Sequence, residues 1–527
     1  MSRRSINRRS SACAALMLLV FGTTHAVDRV ERLRRFAESQ VIERQVPSVA
    51  IAVAKDGKFI WEQGFGWADR ERRIPATANT MYSLASTSKP VTATALMTLV
   101  RAGAVDLDHP INEYLGNAQI RAAIGDAAAA TVRRVANHSS GLPEHYQFFY
   151  ANEPWRTPTP EETIARYGVL MTVPGEQYQY SNLGYGILSY MISLRSGEPF
   201  GDYVRKHVFL PLGMIRSAVG LEPSLADFVA VRYGRDGLPI PPYETDHPGA
   251  SEVYASAHDL ARFGMFHLKE HLADQVAILP DSLIDVMHEP TMSVGERRGY
   301  GVGFEIRETA GYTVISHDGD MPGVRTELRL IPSERLVVVV LANAEDRITP
   351  IVADEIMRVF LPKWQATESV TAAPRNDFVP PLELVGAWVG HVVADNSRTP
   401  IVLHVQADGV VRVKVGDKLE TLLNDARLSK DGILQGVTTG DIGFEDEVRR
   451  PHILGFKLKL REGGVINGAI TTRTDSAEVV PTHDLFPSVA GSPQPTRVQA
   501  RAFVLAAWAE LVKQDGHADL AQPRRSE

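Results

Sequence analysis

Cysteine is almost missing from this 527-residue chain: Cys13 is the only one. Disulfides, thiol catalysis and cysteine-built metal centres are thereby excluded from everything after residue 13. A basic excess is missing too. The formal net charge is −7 and the pI about 6.2, so no broad cationic surface is implied for nucleic acid or anionic lipid. Long apolar runs are equally scarce. The stretch from Ala12 to Gly22 falls well short of the ~20 residues that cross a bilayer. Internal repeats are absent.

What the short apolar run does resemble is a secretory signal. Arg3, Arg4, Arg8 and Arg9 precede it, and Thr24-His25-Ala26 offers small residues where a signal peptidase cuts. Residues 1–26 are expected to be such a signal. Its removal takes away four arginines and no acids, moving the charge from −7 to −11, and takes away Cys13. The expected product is soluble, without a membrane span, and periplasmic or secreted.

The remaining composition is globular: 44% hydrophobic and 23% charged residues can build and solvate a core. The length asks for two or three domains. Val27 to Gln45 reads as an amphipathic helix. Val49 to Val53 and Lys58 to Trp61 read as strands around the turn signal Lys55-Asp56-Gly57. Met81 to Ala102 reads as helical after Ser86, and a helix- and loop-rich stretch runs on to about Pro290. Strands return at Tyr312 to Ser316, Thr326 to Ile331 and Leu336 to Ala342, and Pro350 to Phe360 reads as a closing helix. This order implies an α/β fold: one antiparallel sheet, its strands drawn from both ends of residues 27–362, flanked by helices and holding an α-rich insertion.

Residues 363–381 are polar and proline-containing, as a linker is. Residues 382–480 alternate short strands with turns at Asp408-Gly409, Lys430-Asp431-Gly432 and Glu462-Gly463-Gly464, which predicts a small antiparallel β-barrel domain. Residues 481–527 read as a loop and a helix, the helix over Thr496 to Lys513.

Three short motifs carry chemistry. In Ser86-Thr87-Ser88-Lys89, positions i and i+3 share a helix face, so an amine stands over a hydroxyl at a helix start. A serine becomes a nucleophile only when a neighbouring base takes its proton. Alone, the pattern also describes an N-capping serine beside a surface lysine. In Tyr180-Ser181-Asn182, i and i+2 point the same way and offer a phenol and an amide. In His317-Asp318-Gly319, at the end of an expected strand, the glycine lets a substrate lie close. The N–H groups of Ser86 and Asp320 are candidate oxyanion donors.

In order and separation these match the S-x-x-K, Y-x-N and K/H-x-G motifs of the β-lactamase and penicillin-binding protein superfamily. Their surroundings strengthen the match: SLASTSKP at 83–90, HSSGLP at 138–143, PGEQYQYSNLGY at 174–185, SAHDLARF at 256–263, and Pro322-Gly323. The chain from Val27 to Phe360 resembles the class C-like, esterase-like branch of that superfamily. The Gly386-Ala387-Trp388 start makes the later domain similar to lipocalin-like C-terminal domains.

The resemblance implies a serine hydrolase that needs no cofactor and no metal. Ser86 would be acylated, and Lys89 and Tyr180 would form the base system, with the base itself left open between them. Asn182, His317, Gly319 and Asp320 would bind substrate, a small molecule or short peptide. An ester, a D-amino-acid peptide or amide, and a β-lactam all remain open. His317 stands where relatives have lysine, and Asp320 adds an anion, so carboxylate binding should be weaker by ~1–3 kcal/mol. Esters, amides or amine-bearing peptides are therefore expected over β-lactams. Two other readings compete. His267-Leu268-Lys269-Glu270-His271 matches the H-x-x-E-H zinc motif, and a catalytically weak module that binds peptidoglycan or another ligand would keep the same fold. His138 is expected to be structural.

Overall fold

The computed structural model describes residues 29–364, 378–474 and 503–514, apart from positions 222, 396, 430, 450 and 451. The expected signal, most of the expected linker and residues 481–502 lie outside the described residues. The first helix, α1, runs over residues 29–43. Strands β1 (Ser48–Lys55) and β2 (Lys58–Asp69) form the expected hairpin. Asp56 and Gly57 at its turn have φ of 54° and 69°, the conformation for which this dipeptide is chosen.

After these come α2 (Ser88–Arg101), β3 (Tyr146–Tyr150), α3 (Asn182–Ser196) and α4 (Ala257–His267). Strands β4 (Glu305–Thr309), β5 (Tyr312–Met321), β6 (Val324–Ile331) and β7 (Leu336–Ala342) precede α5 (Ile348–Phe360). The strands pair antiparallel in the order β4-β5-β6-β7-β1-β2, so the sheet does join both ends of the domain.

The alternation within β1 explains the two layers. Val49, Ile51 and Val53 pack under α1 and α5, together with Leu33, Val352 and Ile356. Ala50, Ala52 and Ala54 face the other core, which contains α4 and α2. Alanines on that side let α4 approach, and branched residues on the other fill the gap beneath two helices. β7 reads LVVVVLA and is buried on both faces, as a central strand between two helical layers must be. α2 lies deep: every residue from Ser88 to Leu99 is buried.

The C-terminal domain begins with β8 (Gly386–Ala394), and β9 (Val465–Arg473) and β10 (Phe503–Lys513) are its central strands. Among the described residues, nine antiparallel strands curl into a nearly closed barrel, with Trp388 in its core. Strands 421–422 and 433–439 are joined near the seam by a 3.0 Å bond between Thr421 and Thr438 hydroxyls.

Here two expectations are corrected. Residues 503–513 form a strand, not the helix expected over Thr496 to Lys513, and the barrel takes this strand from beyond residue 480. β10 lies between β8 and β9 and is bonded to both. Phe503, Leu505, Ala507, Ala509 and Leu511 enter the barrel core, while Ala506 and Trp508 pack against Met171 and Ala469. With both faces apolar, the period of two vanishes, and the alanines mimic a helix. β10 also pairs with β3, Phe503 opposite Gln147 and Val504 opposite Tyr146, so the two domains share strand hydrogen bonds.

Among the described residues no helix is long and apolar enough to cross a membrane.

Candidate active site

The Ser86–Lys89 motif sits where the chain reverses abruptly. Met81–Ser83 is a short strand, Ala85–Thr87 a single 3₁₀ turn, and α2 follows at once. Ala85 has φ +48°, a left-handed conformation that costs an alanine of order 1 kcal/mol. The surrounding bonds hold it there. The Thr326 hydroxyl donates to the Leu84 carbonyl at 2.9 Å and meets the Thr87 hydroxyl at 2.9 Å. Within residues 81–90 only Ser86 is not fully buried.

One turn along α2, Lys89 has no exposed surface. Its Nζ lies 3.1 Å from Ser86 Oγ and is within hydrogen-bond reach of Asn182 Oδ1 at 2.8 Å and of the Ala250 carbonyl at 3.3 Å. Burial drives its proton affinity well below that of an ordinary lysine, with Asp318 only partly opposing this. Burial thus favours the uncharged form of the amine beside the serine hydroxyl. Tyr180 stands on the other side. Its ring lies 4.7 Å from Nζ and its hydroxyl bonds Ser86. Burial pushes the phenol up, well beyond the bond to Ser86 that pulls it down, so it keeps its proton.

Asn182 is the first residue of α3, which Ser181 caps by accepting the Gly184 N–H at 3.0 Å. Its amide is thereby aimed at Lys89. Behind it, His138 accepts the Ser181 N–H at Nδ1 (3.1 Å) and lies against the Tyr180 ring with centroids 4.4 Å apart. His138 is therefore a positioning residue for the second motif.

The third motif forms the opposite wall. Of β5, β4 pairs with Tyr312–Ser316, and His317 to Met321 run on beside the Ser86 turn. His317 Nδ1–H donates to the Asp318 carbonyl at 2.7 Å, which leaves Nε2 to accept from the Tyr300 hydroxyl at 2.8 Å. Burial, with Lys89 nearby, lowers this imidazole to about 4, so it is neutral at pH 7. Asp318 and Asp320 share Arg325, at 3.3 and 3.1 Å.

Gly319 has a different reason from the one expected. A Cβ there would stand 2.3 Å from both the Leu84 carbonyl and the Thr326 hydroxyl. The space is taken by the nucleophile's own turn, not by the open cleft. Sequence reasoning also missed Tyr178 and Tyr300, which line the site; Tyr178 was visible in the spacing PGEQYQYSN, whereas Tyr300 carried no local signal.

Ser86, Tyr178, Tyr180, Tyr300, His317 and Asp320 line a cavity of about 450 Å³. Arginines and carboxylates on its wall are largely paired: Arg298 with Glu305, Arg325 with Asp318 and Asp320, Arg329 with Glu327. A larger depression of about 1090 Å³, bounded by α1, β2 and residues 234–237, contains none of the motif residues.

The zinc motif does not form. α4 ends at His267, whose Nε2 lies 2.9 Å from the Thr94 hydroxyl, and Lys269 turns the chain with φ +63°. The helix face that the i, i+4 spacing required is broken before His271.

A family model described as Beta-lactamase matches residues 33–356. Penicillin-binding protein 4 of Amycolatopsis lactamdurans is 26% identical over 345 residues, 61% of this chain and 86% of that protein. D-aminopeptidase of Gluconobacter oxydans (strain 621H) is 27% identical over 312 residues, 56% of each chain. Among solved structures, the octameric penicillin-binding protein homologue from Pyrococcus abyssi aligns with TM-score 0.54 at 23% identity, over 84% of this chain and 98% of that one.

Proposed function

Since this chain belongs to the beta-lactamase family and is a serine hydrolase, we propose that it is exported and cleaves polar esters or amides through an acyl-enzyme on Ser86. The observation that carries this reading is the fully buried amine of Lys89 at 3.1 Å from Ser86 Oγ, with burial lowering its proton affinity.

In the proposed sequence Lys89 Nζ takes the proton of Ser86 Oγ as that oxygen attacks the substrate carbonyl carbon. The carbonyl electron pair moves onto oxygen, which the N–H groups of Ser86 and Asp320 receive. The proton then passes through the Tyr180 hydroxyl to the departing nitrogen or oxygen, and the C–N or C–O bond breaks. Water, deprotonated by the same pair, releases the acyl group. Burial opposes the charged form of both groups, lowering the amine and raising the phenol, and this favours Lys89 as base and Tyr180 as relay.

Among the described residues of the strand beside Ser86, His317 is neutral at pH 7 and the two carboxylates share Arg325, so this strand itself offers no free cation, although Arg307 and Arg347 also line the cavity. This supports a substrate that is an ester, an amide or an amine-bearing short peptide over a β-lactam, and it fits the D-aminopeptidase name of one relative.

The test is a parallel assay of the chain from Val27 and its Ser86→Ala variant on a chromogenic cephalosporin, a short-chain p-nitrophenyl ester and a D-alanyl anilide. Intact-mass measurement detects the acyl adduct. Turnover of ester or anilide by the parent alone, with an adduct on Ser86, is expected. Equal inertness of both proteins makes the chain a binding module. Cephalosporin turnover equal to that of the neutral ester sinks the substrate preference.

A further inference from the structure

Behind Lys89 lies a buried group that the proposed reaction leaves unused. Asp246 Oδ2 is 2.7 Å from His145 Nε2 and 3.2 Å from Gln147 Nε2, and its Oδ1 is 2.7 Å from His247 Nδ1. All four residues are buried, His145 and His247 at 1% exposure. Burial alone would raise the Asp246 carboxyl, yet its two histidines hold it low, as an anion. Such a carboxylate is stable only while its donors remain in place.

The grip has two ends. His145 and Gln147 lie at β3, which β10 of the C-terminal domain pairs at Gln147 and Tyr146. His247 opens the single helical turn Pro248–Ser251, and that turn reaches the catalytic lysine. Ala250 gives its carbonyl to Lys89 Nζ, and Gly249 gives its carbonyl to the Thr92 hydroxyl of α2 at 2.6 Å. The fit leaves no slack. A Cβ on Gly249 would lie 2.5 Å from the Tyr185 carbonyl, and one on Gly186 would lie 2.9 Å from His247 Cβ. A small displacement of Asp246 must therefore move the Ala250 carbonyl.

We propose that Asp246, held by His145 and Gln147 of the β3 segment and by its neighbour His247, is a positioning residue that fixes the acceptor end of Lys89 through the His247–Ser251 turn. This rests on Lys89 being the base. The two imidazole nitrogens stand at hydrogen-bond distance from the carboxylate. Ligands on one zinc ion at ~2.0–2.1 Å would be spread roughly 3.3 Å apart, so the arrangement suits direct bonding better than a metal.

The charged and titratable groups facing Asp246 are His145, whose ring lies against Tyr167, and His247; beyond His247 stands Lys89, which faces Asp318, His317, His138 and Tyr180. Asp246→Asn cannot accept from both histidines. The Ala250 carbonyl then leaves Lys89, the ammonium form loses an acceptor, and the aim on Ser86 is lost.

The experiment measures kcat and kcat/KM against pH on the preferred substrate for the full chain, Asp246→Asn, His145→Gln and His145→Leu. Active sites are counted by acylation of Ser86, and metal content is determined. Asp246→Asn should lower kcat per active site at least tenfold, leave KM within about twofold, and move the acidic limb to lower pH. His145→Gln, which keeps a donor near the Nε2 position, should recover most of the activity that His145→Leu loses. An unmoved limb with full kcat per active site would reduce Asp246 to a folding role and overturn the proposal. So would a stoichiometric transition metal bound by the parent and lost in His145→Leu. Failure of the functional reading looks different: the parent itself would then show no acylation of Ser86.

Discussion

The Nζ of Lys89 lies 3.1 Å from Oγ of Ser86, and the lysine has no surface left in contact with water. A charged amine would be costly there, and a neutral one is a base. The sign of the pH dependence follows. In the proposed reaction protonation of Lys89 removes the base, so kcat/KM should fall as pH drops through the lysine's depressed pKa, which lies well below that of an ordinary lysine. Lys89→Arg, which cannot give up its proton, should lose ~10²–10⁴-fold in kcat at every pH. Steady-state rates from pH 5 to 10 check this, and recovery of the arginine variant at high pH would exclude the lysine as base.

In the proposed reaction Tyr180 divides substrates by their leaving groups. Its phenol is kept protonated by burial and bonds Ser86. Departure of an aniline needs that proton, whereas p-nitrophenolate departs without it. Tyr180→Phe should slow anilide cleavage ~10²-fold or more and p-nitrophenyl ester cleavage far less. Equal losses on both substrates would remove the relay role.

Gly319 is a packing residue of the nucleophile turn. Gly319→Ala places a Cβ 2.3 Å from a backbone carbonyl that cannot swing aside. The strain should lower stability by ~1–3 kcal/mol and displace Ser86, so thermal unfolding and the acylation rate should fall together. Slower turnover with an unchanged melting temperature would instead place the glycine against substrate.

Glu252 supplies a stability prediction. Burial raises its carboxyl to about 7, although it accepts from the Thr245 N–H and hydroxyl. The folded pKa is above the unfolded value of 4.5. Its contribution is thus fully present below about pH 4.5 and is lost as pH rises through about 7. Glu252→Gln should therefore raise the melting temperature at pH 8.5 and change it little at pH 5. A gain of equal size at both pH values would contradict the assignment.

Much of the fold could be read along the chain, because local chemistry dictated it. The Asp56-Gly57 turn, the alternation of alanine with valine and isoleucine in β1, and the apolar run of β7 each announce their own element. β10 could not be read. Its two faces meet two different cores, the barrel's and that of Met171, and burial on both sides erased the alternation that marks a strand. The α4 segment failed in the opposite direction: its H-x-x-E-H spacing assumed a helix that Lys269 ends.

For the site, residue type and spacing along the chain nominated the candidate groups, a serine, a lysine three residues on, a tyrosine and an amide, and the resemblance to a known superfamily supplied their expected roles. Only the tertiary structure decided their states. The folded core strips water from Lys89 and Tyr180, which lowers the proton affinity of the first and raises that of the second. Tyr300 takes the Nε2 of His317, and Arg325 neutralises part of the Asp318 and Asp320 charge. Asp246 is brought behind the lysine from a segment that no motif marks. Proton affinity depends on burial and on partners distant in the chain, and those exist only once the strands and helices have packed.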